Sequence, residues 1–79
     1  MKIYLLWYTG EKSAEVLDVT KVVEDTMAIS PELPRVVIIN SLMDMLCADE
    51  VITSDTEEQM LAMFKNPTVI TMRSKEDSH

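Results

Sequence analysis

Cysteine and histidine, two side chains often used for nucleophilic catalysis, each occur once in this chain, as Cys47 and His79. Cys47 falls on the apolar side of a predicted helix. We therefore expect a buried thiol, which is inert because apolar surroundings disfavour the thiolate. His79 is the last residue of the sequence, where nothing would hold it within hydrogen-bonding distance of a nucleophile. These positions argue against a Cys-His or Ser-His-Asp site, and we expect no catalytic residues and no enzymatic activity.

Carboxylates clustered in residues 49–58 are the other group able to do chemistry. They are Asp49, Glu50, Asp55, Glu57 and Glu58. Carboxylates bind Mg²⁺ or Ca²⁺, but a helix-loop-helix calcium site needs a mid-loop glycine and fixed ligand spacing, and neither occurs here. Negative charge is also favoured in the first turn of a helix for electrostatic reasons alone. The chain has one glycine, so a phosphate-cradling loop is not expected. We expect neither a metal nor a cofactor.

The overall charge favours protein partners. Acidic side chains outnumber basic ones by 14 to 7, and the formal net charge is −7. Such a surface repels phosphate backbones, so direct nucleic-acid binding is not expected, whereas a basic surface on another protein would be attracted. The opening apolar run is shorter than the ~20 residues that span a bilayer and lacks the basic lead of a secretory signal. We expect no membrane partner. With one cysteine there is no intramolecular disulfide, and together these features favour a cytoplasmic protein.

Residues 2–9 are the stretch most clearly predicted to form a strand. Alternate side chains of a strand point to opposite faces of a sheet, and here both sets are apolar: Ile3, Leu5 and Trp7, and Tyr4, Leu6 and Tyr8. This pattern predicts a central strand covered on both faces, or a strand with one face kept for a partner. We expect the first set to be core. The phenol hydroxyls suit a half-wet surface better, so Tyr4 and Tyr8 are candidate partner-binding residues.

The segment after this strand fits two interpretations. Gly10 predicts a tight left-handed turn at the end of the strand. Residues 14–29 then form an apolar stripe at helical spacing, yet they are rich in Val and Thr, which favour strands. We slightly favour a hairpin, with a strand near residues 15–20 and a helical turn or two from Thr20.

The clearest helix is predicted near residues 31–48. Ser30 is a good N-cap, and Pro31 suits the first helical position. The apolar side chains that follow fall on one broad side of the helix. An alternative is a buried strand at residues 35–39 followed by a short helix from Ser41.

The last third of the chain predicts a strand, a helix and a strand. A short strand is possible near residues 51–53. Ser54 and Glu57 match a capping box, which predicts a helix near residues 55–65. Residues 68–73 alternate as a last strand, and residues 74–79 are expected to be a frayed polar tail.

These elements predict a single small domain over residues 1–73, of the α+β or small α/β class. It would have a three- to four-stranded sheet with two or three amphipathic helices. The strand near 51–53, the second helix and the last strand would form a parallel crossover unit. The opening strand would then lie in mid-sheet beside the last strand.

The leading functional hypothesis is a small, acidic, non-catalytic protein-binding module. It would bind a basic surface through the carboxylates of residues 49–58, with Met60 or Met63 as nearby apolar anchors. If the target's basic site normally holds nucleic acid, the bound module would occlude it and act as an inhibitor by charge mimicry. In size and charge, though not in any motif, the chain resembles small inhibitors carried by phages. The alternative is a structural subunit or a homo-oligomer, such as a homodimer, that closes an exposed apolar face.

Overall fold

The computed structural model describes residues 1–64 and 68–73. These residues form a four-stranded mixed sheet and three helices, an α+β fold, which confirms the predicted class. The elements in chain order are β1 (Lys2–Gly10), β2 (Ser13–Asp18), α1 (Thr20–Ile29), α2 (Arg35–Leu46), β3 (Glu50–Ser54), α3 (Glu57–Ala62) and β4 (Val69–Met72). The strand order across the sheet is β3-β1-β2-β4.

The opening strand is central, as its doubly apolar pattern predicted. β1 pairs antiparallel with β2 on one side and with β3 on the other. On one face, α1 and α2 cover Ile3, Leu5 and Trp7. On the other face, Tyr4 and Leu6 pack with Met60 of α3. Helices on both faces explain why neither set of β1 side chains is polar.

The predicted hairpin between the first two strands is confirmed, but the helical turn or two expected from Thr20 is a ten-residue helix, α1. β2 lies two residues earlier than the predicted 15–20, because Thr20 begins α1 instead of ending the strand. Gly10 does not adopt the expected left-handed conformation, since no described glycine has a positive φ. A Cβ at this position would lie 2.8 Å from the Ser13 hydroxyl oxygen, so a larger residue would require the Ser13 side chain to move.

The helix predicted over residues 31–48 begins later than expected. Ser30 ends α1, where its N–H donates to the Thr26 carbonyl at 2.8 Å. Proline disfavours the helical conformation of the residue before it, so Pro34 keeps Leu33 out of a helix, and α2 begins at Arg35. The alternative strand at residues 35–39 is wrong, because these residues are helical.

The capping-box prediction is also displaced. β3 extends the predicted 51–53 by one residue at each end, so Ser54 belongs to the strand. Thr56 is the N-cap of α3, and its hydroxyl accepts from the Gln59 N–H at 3.1 Å. The Gln59 amide oxygen in turn accepts from the Asp55 N–H. The helix ends at Ala62, earlier than the predicted residue 65, which lies outside the described residues.

The predicted parallel crossover between β3 and β4 is wrong. The two strands lie at opposite edges of the sheet, and β4 pairs parallel with β2. The hairpin places β2 along one side of β1, and β3 takes the other side, so β4 has no place beside the opening strand. β4 itself falls within the predicted range 68–73. The predicted tail, residues 74–79, lies outside the described residues.

Candidate functional site

The five carboxylates of residues 49–58 are divided into two groups by β3. Asp49 and Glu50 lie where the strand begins, and we refer to them as the Glu50 group. Asp55, Glu57 and Glu58 follow the strand and open α3, and they form the Glu57 group. At about 3.3 Å per residue, the strand separates Glu50 from Asp55 by roughly 16 Å. All five side chains are exposed, so one cluster in the sequence becomes a strand flanked by negative charge at both ends.

Tyr8 holds the Glu50 group in place. Its N–H donates to the Asp49 carboxylate at 2.8 Å, and its hydroxyl donates to the Glu50 carboxylate at 2.6 Å. The Asp49 N–H donates to the Leu6 carbonyl at 2.8 Å. The hydrogen bond to Glu50 is the main reason that the pKa of Tyr8 lies above its ordinary value of 10.0, with smaller contributions from burial and from the two negative charges. The two carboxylates are therefore positioned by the fold, beside a phenol whose raised pKa keeps it neutral at neutral pH.

The Glu57 group lies where negative charge stabilises a helix N-terminus. Beneath α3 is Tyr4, which is 0% exposed. Its buried hydroxyl has no hydrogen-bond partner in the part of the chain that the structure describes. Burial raises the pKa of Tyr4, and the charges of Asp18 and Glu57 raise it further. Two carboxylates, Asp18 and Glu57, therefore act on this hydroxyl from nearby.

No cation of the described residues neutralises either group. The three described ion pairs are Lys2 with Asp18, Lys21 with Asp25, and Arg73 with Glu15. None of the five carboxylates takes part in an ion pair within residues 1–64 and 68–73, and residues 49–58 contain no Lys or Arg. Their charge is available to an external partner.

Metal binding finds no geometric support. Among residues 1–64 and 68–73, no three His, Cys, Asp or Glu side chains lie close enough to hold one ion.

Of the predicted anchors, the structure keeps two at the surface and buries two. Tyr4 and Met60 are both 0% exposed and belong to the same core cluster. The expectation that they contact a partner is corrected, because α3 covers this face of the sheet. Tyr8 and Met63 are 55% and 57% exposed. They line one shallow groove of about 270 Å³, although 55 residues separate them in the sequence.

The prediction of a buried thiol is wrong. Cys47 is exposed and follows the last residue of α2 in the left-handed conformation, with φ 55° and ψ 41°. Its N–H donates to the Asp44 carbonyl, and the next N–H, from Ala48, reaches the Met43 carbonyl at 3.0 Å. This pair of bonds is the Schellman ending of a helix, which turns the chain away from the helix axis. The sequence prediction continued the apolar stripe through Cys47 and therefore did not include this helix ending.

Sequence patterning also did not identify an apolar groove on α2. Leu33, Val37 and Met45 line it with Ile38 and Leu42, and its volume is about 290 Å³. Val37, Ser41 and Met45 follow one another at i+4 spacing on α2, and the polar Ser41 interrupts the apolar pattern that would have indicated this groove.

No helix among the described residues is long and apolar enough to cross a membrane. Comparison with protein-family models, with curated proteins and with solved structures gives no significant match. The functional argument therefore depends on the geometry of this chain alone.

Proposed function

We propose that this chain is a non-catalytic protein-binding module that docks on the basic surface of another protein. The observation that carries the proposal is the set of five exposed carboxylates along the β3–α3 segment, none of them in an ion pair with a described residue. The Glu50 and Glu57 groups supply the charge. Tyr8 and Met63 lie near the Glu50 group and supply apolar contact area, since the Tyr8 hydroxyl bonds Glu50 directly.

The electrostatic contribution is modest for each contact and useful in sum. An exposed ion pair contributes about 0.2–1 kcal/mol, so five of them supply a few kcal/mol. The fixed carboxylates also steer a basic partner and accelerate association. Both effects are screened by salt, because the Debye length is only about 10 Å at 0.1 M.

A concrete form of this function is inhibition by charge mimicry. Two carboxylate groups roughly 16 Å apart along an extended strand would occupy cation sites that otherwise bind separate phosphates of a nucleic-acid backbone. A target that normally binds nucleic acid in the cytoplasm would be occluded when the module is bound. Duplex DNA or RNA added to the complex should then displace the module.

The test compares two variants with the same net charge. Glu57→Lys with Glu58→Lys reverses charge in the Glu57 group, whereas Glu24→Lys with Glu32→Lys reverses two exposed carboxylates elsewhere. A partner would be captured from source cells, identified by mass spectrometry, purified, and titrated calorimetrically with each variant at low and moderate salt.

We expect the first variant to lose about tenfold or more in affinity, since two attractions become repulsions. The control should stay close to the unmodified chain. Equal losses in both variants would show that only net charge matters. Affinity that does not fall with salt would remove the electrostatic argument.

The homo-oligomer alternative has its own supporting observation. The groove lined by Leu33, Val37 and Met45 is mainly apolar, and Ile29, the last residue of α1, is 82% exposed. A second copy could bury this surface. Light scattering over a range of concentrations tests it directly: a dimer that Met45→Glu dissociates would favour this function, and a monomer at all concentrations would exclude it.

A further inference from the structure

β3 has an open outer edge. It is the first strand in the sheet order and pairs only with β1, and no other described segment lies along its outer side. An open edge offers unpaired N–H and C=O groups to any extended segment that approaches it.

The main-chain groups on this edge can be identified from the bonds of β1. The Ile3 N–H donates to the Thr20 hydroxyl, and the Ile3 carbonyl accepts from the Val19 N–H, so Ile3 bonds toward β2. Since bonding direction alternates along an antiparallel strand, Tyr4 bonds toward β3, where it lies opposite Ile52. The N–H and C=O groups of Val51 and Thr53 therefore point outward.

β3 has few of the features that protect an exposed edge: it is short and flanked by carboxylates, but those carboxylates do not repel a basic strand. Exposed edges are commonly protected by lysine, proline or a bulge. The strand reads Glu-Val-Ile-Thr-Ser from Glu50 to Ser54, with no lysine or proline, and its pairing with β1 is regular throughout. Its two outward residues, Val51 and Thr53, are β-branched and suit a strand.

A second copy of this chain is a poor occupant of the edge. Antiparallel self-pairing centred on Ile52 would place Asp49 of each copy opposite Asp55 of the other. Parallel pairing would place the Glu50 groups side by side. Like charges directly opposite each other destabilise a strand pair, so both arrangements are disfavoured. A positively charged strand meets neither penalty.

We propose that an extended segment of the partner adds to the outer edge of β3 as a fifth strand. It carries a Lys or Arg near each end, about five residues apart, to match the Glu50 and Glu57 groups. Between them it carries β-branched residues, and its main chain bonds to Val51 and Thr53 in the manner of β-strand addition. This inference deepens the proposed function and rests on it.

The probe is a synthetic peptide, acetyl-Lys-Thr-Val-Thr-Val-Lys-amide. Its control has the same composition and charge but both lysines together at one end, acetyl-Lys-Lys-Thr-Val-Thr-Val-amide. Amide hydrogen exchange of the full chain, followed by NMR, reports on each edge residue. On adding the probe, exchange of the Val51 and Thr53 amides should slow by about tenfold or more. The Ile52 amide, already bonded to β1, should change little.

Two proline variants test the edge independently. Val51→Pro removes an outward donor, a substitution that edge strands tolerate, and should abolish protection of Thr53. Met72→Pro, on β4 at the opposite edge of the sheet, should leave the effect unchanged. Unaltered exchange at Ile52 in Val51→Pro would show that the sheet of the variant is intact. If the sheet is disturbed, the comparison of the two peptides on the unmodified chain decides the question.

The outcomes separate this inference from the proposed function. Binding of the probe without protection of Val51 and Thr53, equal binding of the two peptides, or no effect at millimolar probe would overturn strand addition. Protection of the Val51 amide that increases with protein concentration in the absence of peptide would show that a second copy, and not a partner segment, adds to this edge. If Glu57→Lys with Glu58→Lys leaves peptide binding unchanged, the result contradicts the proposed role of the acidic surface instead.

Discussion

Replacing Cys47 with glycine should stabilise the fold by about 0.5–1 kcal/mol. Cys47 is the one non-glycine residue with a positive φ, 55°, among the residues that the structure describes. A Cβ in the left-handed region costs about 1–2 kcal/mol. Glycine removes this cost but lowers the stability by about 0.5–1 kcal/mol, because the unfolded chain has more conformational freedom at a glycine.

Little in the structure opposes this gain. The Cys47 side chain is exposed, and its sulfur lies 4.0 Å from the nearest polar partner, the Asp44 carbonyl oxygen. The two main-chain bonds that end α2, from the N–H groups of Cys47 and Ala48, do not depend on the side chain. Both bonds should persist in the variant.

Thermal unfolding followed by circular dichroism under reducing conditions measures the effect. In a domain of this size, 1 kcal/mol corresponds to about 4–8 °C in Tm, so we expect a rise of about 2–8 °C. Cys47→Ala is the control, because it removes the thiol and keeps the Cβ, and it should stay within about 0.5 kcal/mol of the unmodified chain. A glycine variant no more stable than the alanine variant would refute the argument from backbone conformation.

Three further predictions concern the core and the sheet. Tyr4→Phe should raise the free energy of unfolding by about 1 kcal/mol in a urea titration, because an unpaired buried hydroxyl is costly; lower stability would indicate a missed partner. Because burial raises the pKa of Tyr4 above 10.0, this phenol ionises less readily in the folded chain than in the unfolded one. Its ionisation leaves the free energy of unfolding unchanged below pH 10 and lowers it as pH rises through the raised pKa, so Tyr4→Phe should unfold at a higher pH than the unmodified chain in an alkaline titration. Met60→Ala should destabilise by about 2–5 kcal/mol and Met63→Ala by less than about 0.5 kcal/mol in urea, and similar losses would contradict the assigned burial. Arg73→Gln should cost about 1 kcal/mol and make Trp7 fluorescence easier to quench with acrylamide, because the guanidinium lies 3.8 Å from the Trp7 ring centre; unchanged quenching would show that the contact is absent in solution.

Local patterns predicted the strands well and the helix boundaries poorly. Residues 2–9 are apolar on both faces of a strand and residues 68–73 alternate, and β1 and β4 lie where these patterns predict. The start of α2 was misplaced because Ser30 and Pro31 make a good helix start in isolation. Pro34 carried the stronger local signal, since it restricts the residue before it.

Topology could not be predicted from the same patterns. The strand-helix-strand order of the last third favours a parallel crossover as a general rule, yet β3 and β4 occupy opposite edges. The decision depends on β1, which has two sides and gives one to β2 and the other to β3. No residue in the last third of the chain indicates which side of β1 is already taken by β2.

The exposed conformation of Cys47 was equally inaccessible to local reasoning. A cysteine has no preference for the left-handed region, and the apolar stripe continues through it. Ala48, the next residue, packs against the core cluster beside α1 and α2, and its N–H bonds the Met43 carbonyl. Neither the packing nor the helix ending is visible in the pattern of neighbouring residues.

The candidate site divides in the same way. The charge and the doubly apolar β1 could be predicted by residue type alone, because they depend on composition and on a period of two. The tertiary structure decided that α3 buries Tyr4 and Met60, that Tyr8 meets Glu50, and that the acidic residues flank an open strand edge. These features arise because residues distant in sequence compete for the two sides and two faces of one central strand.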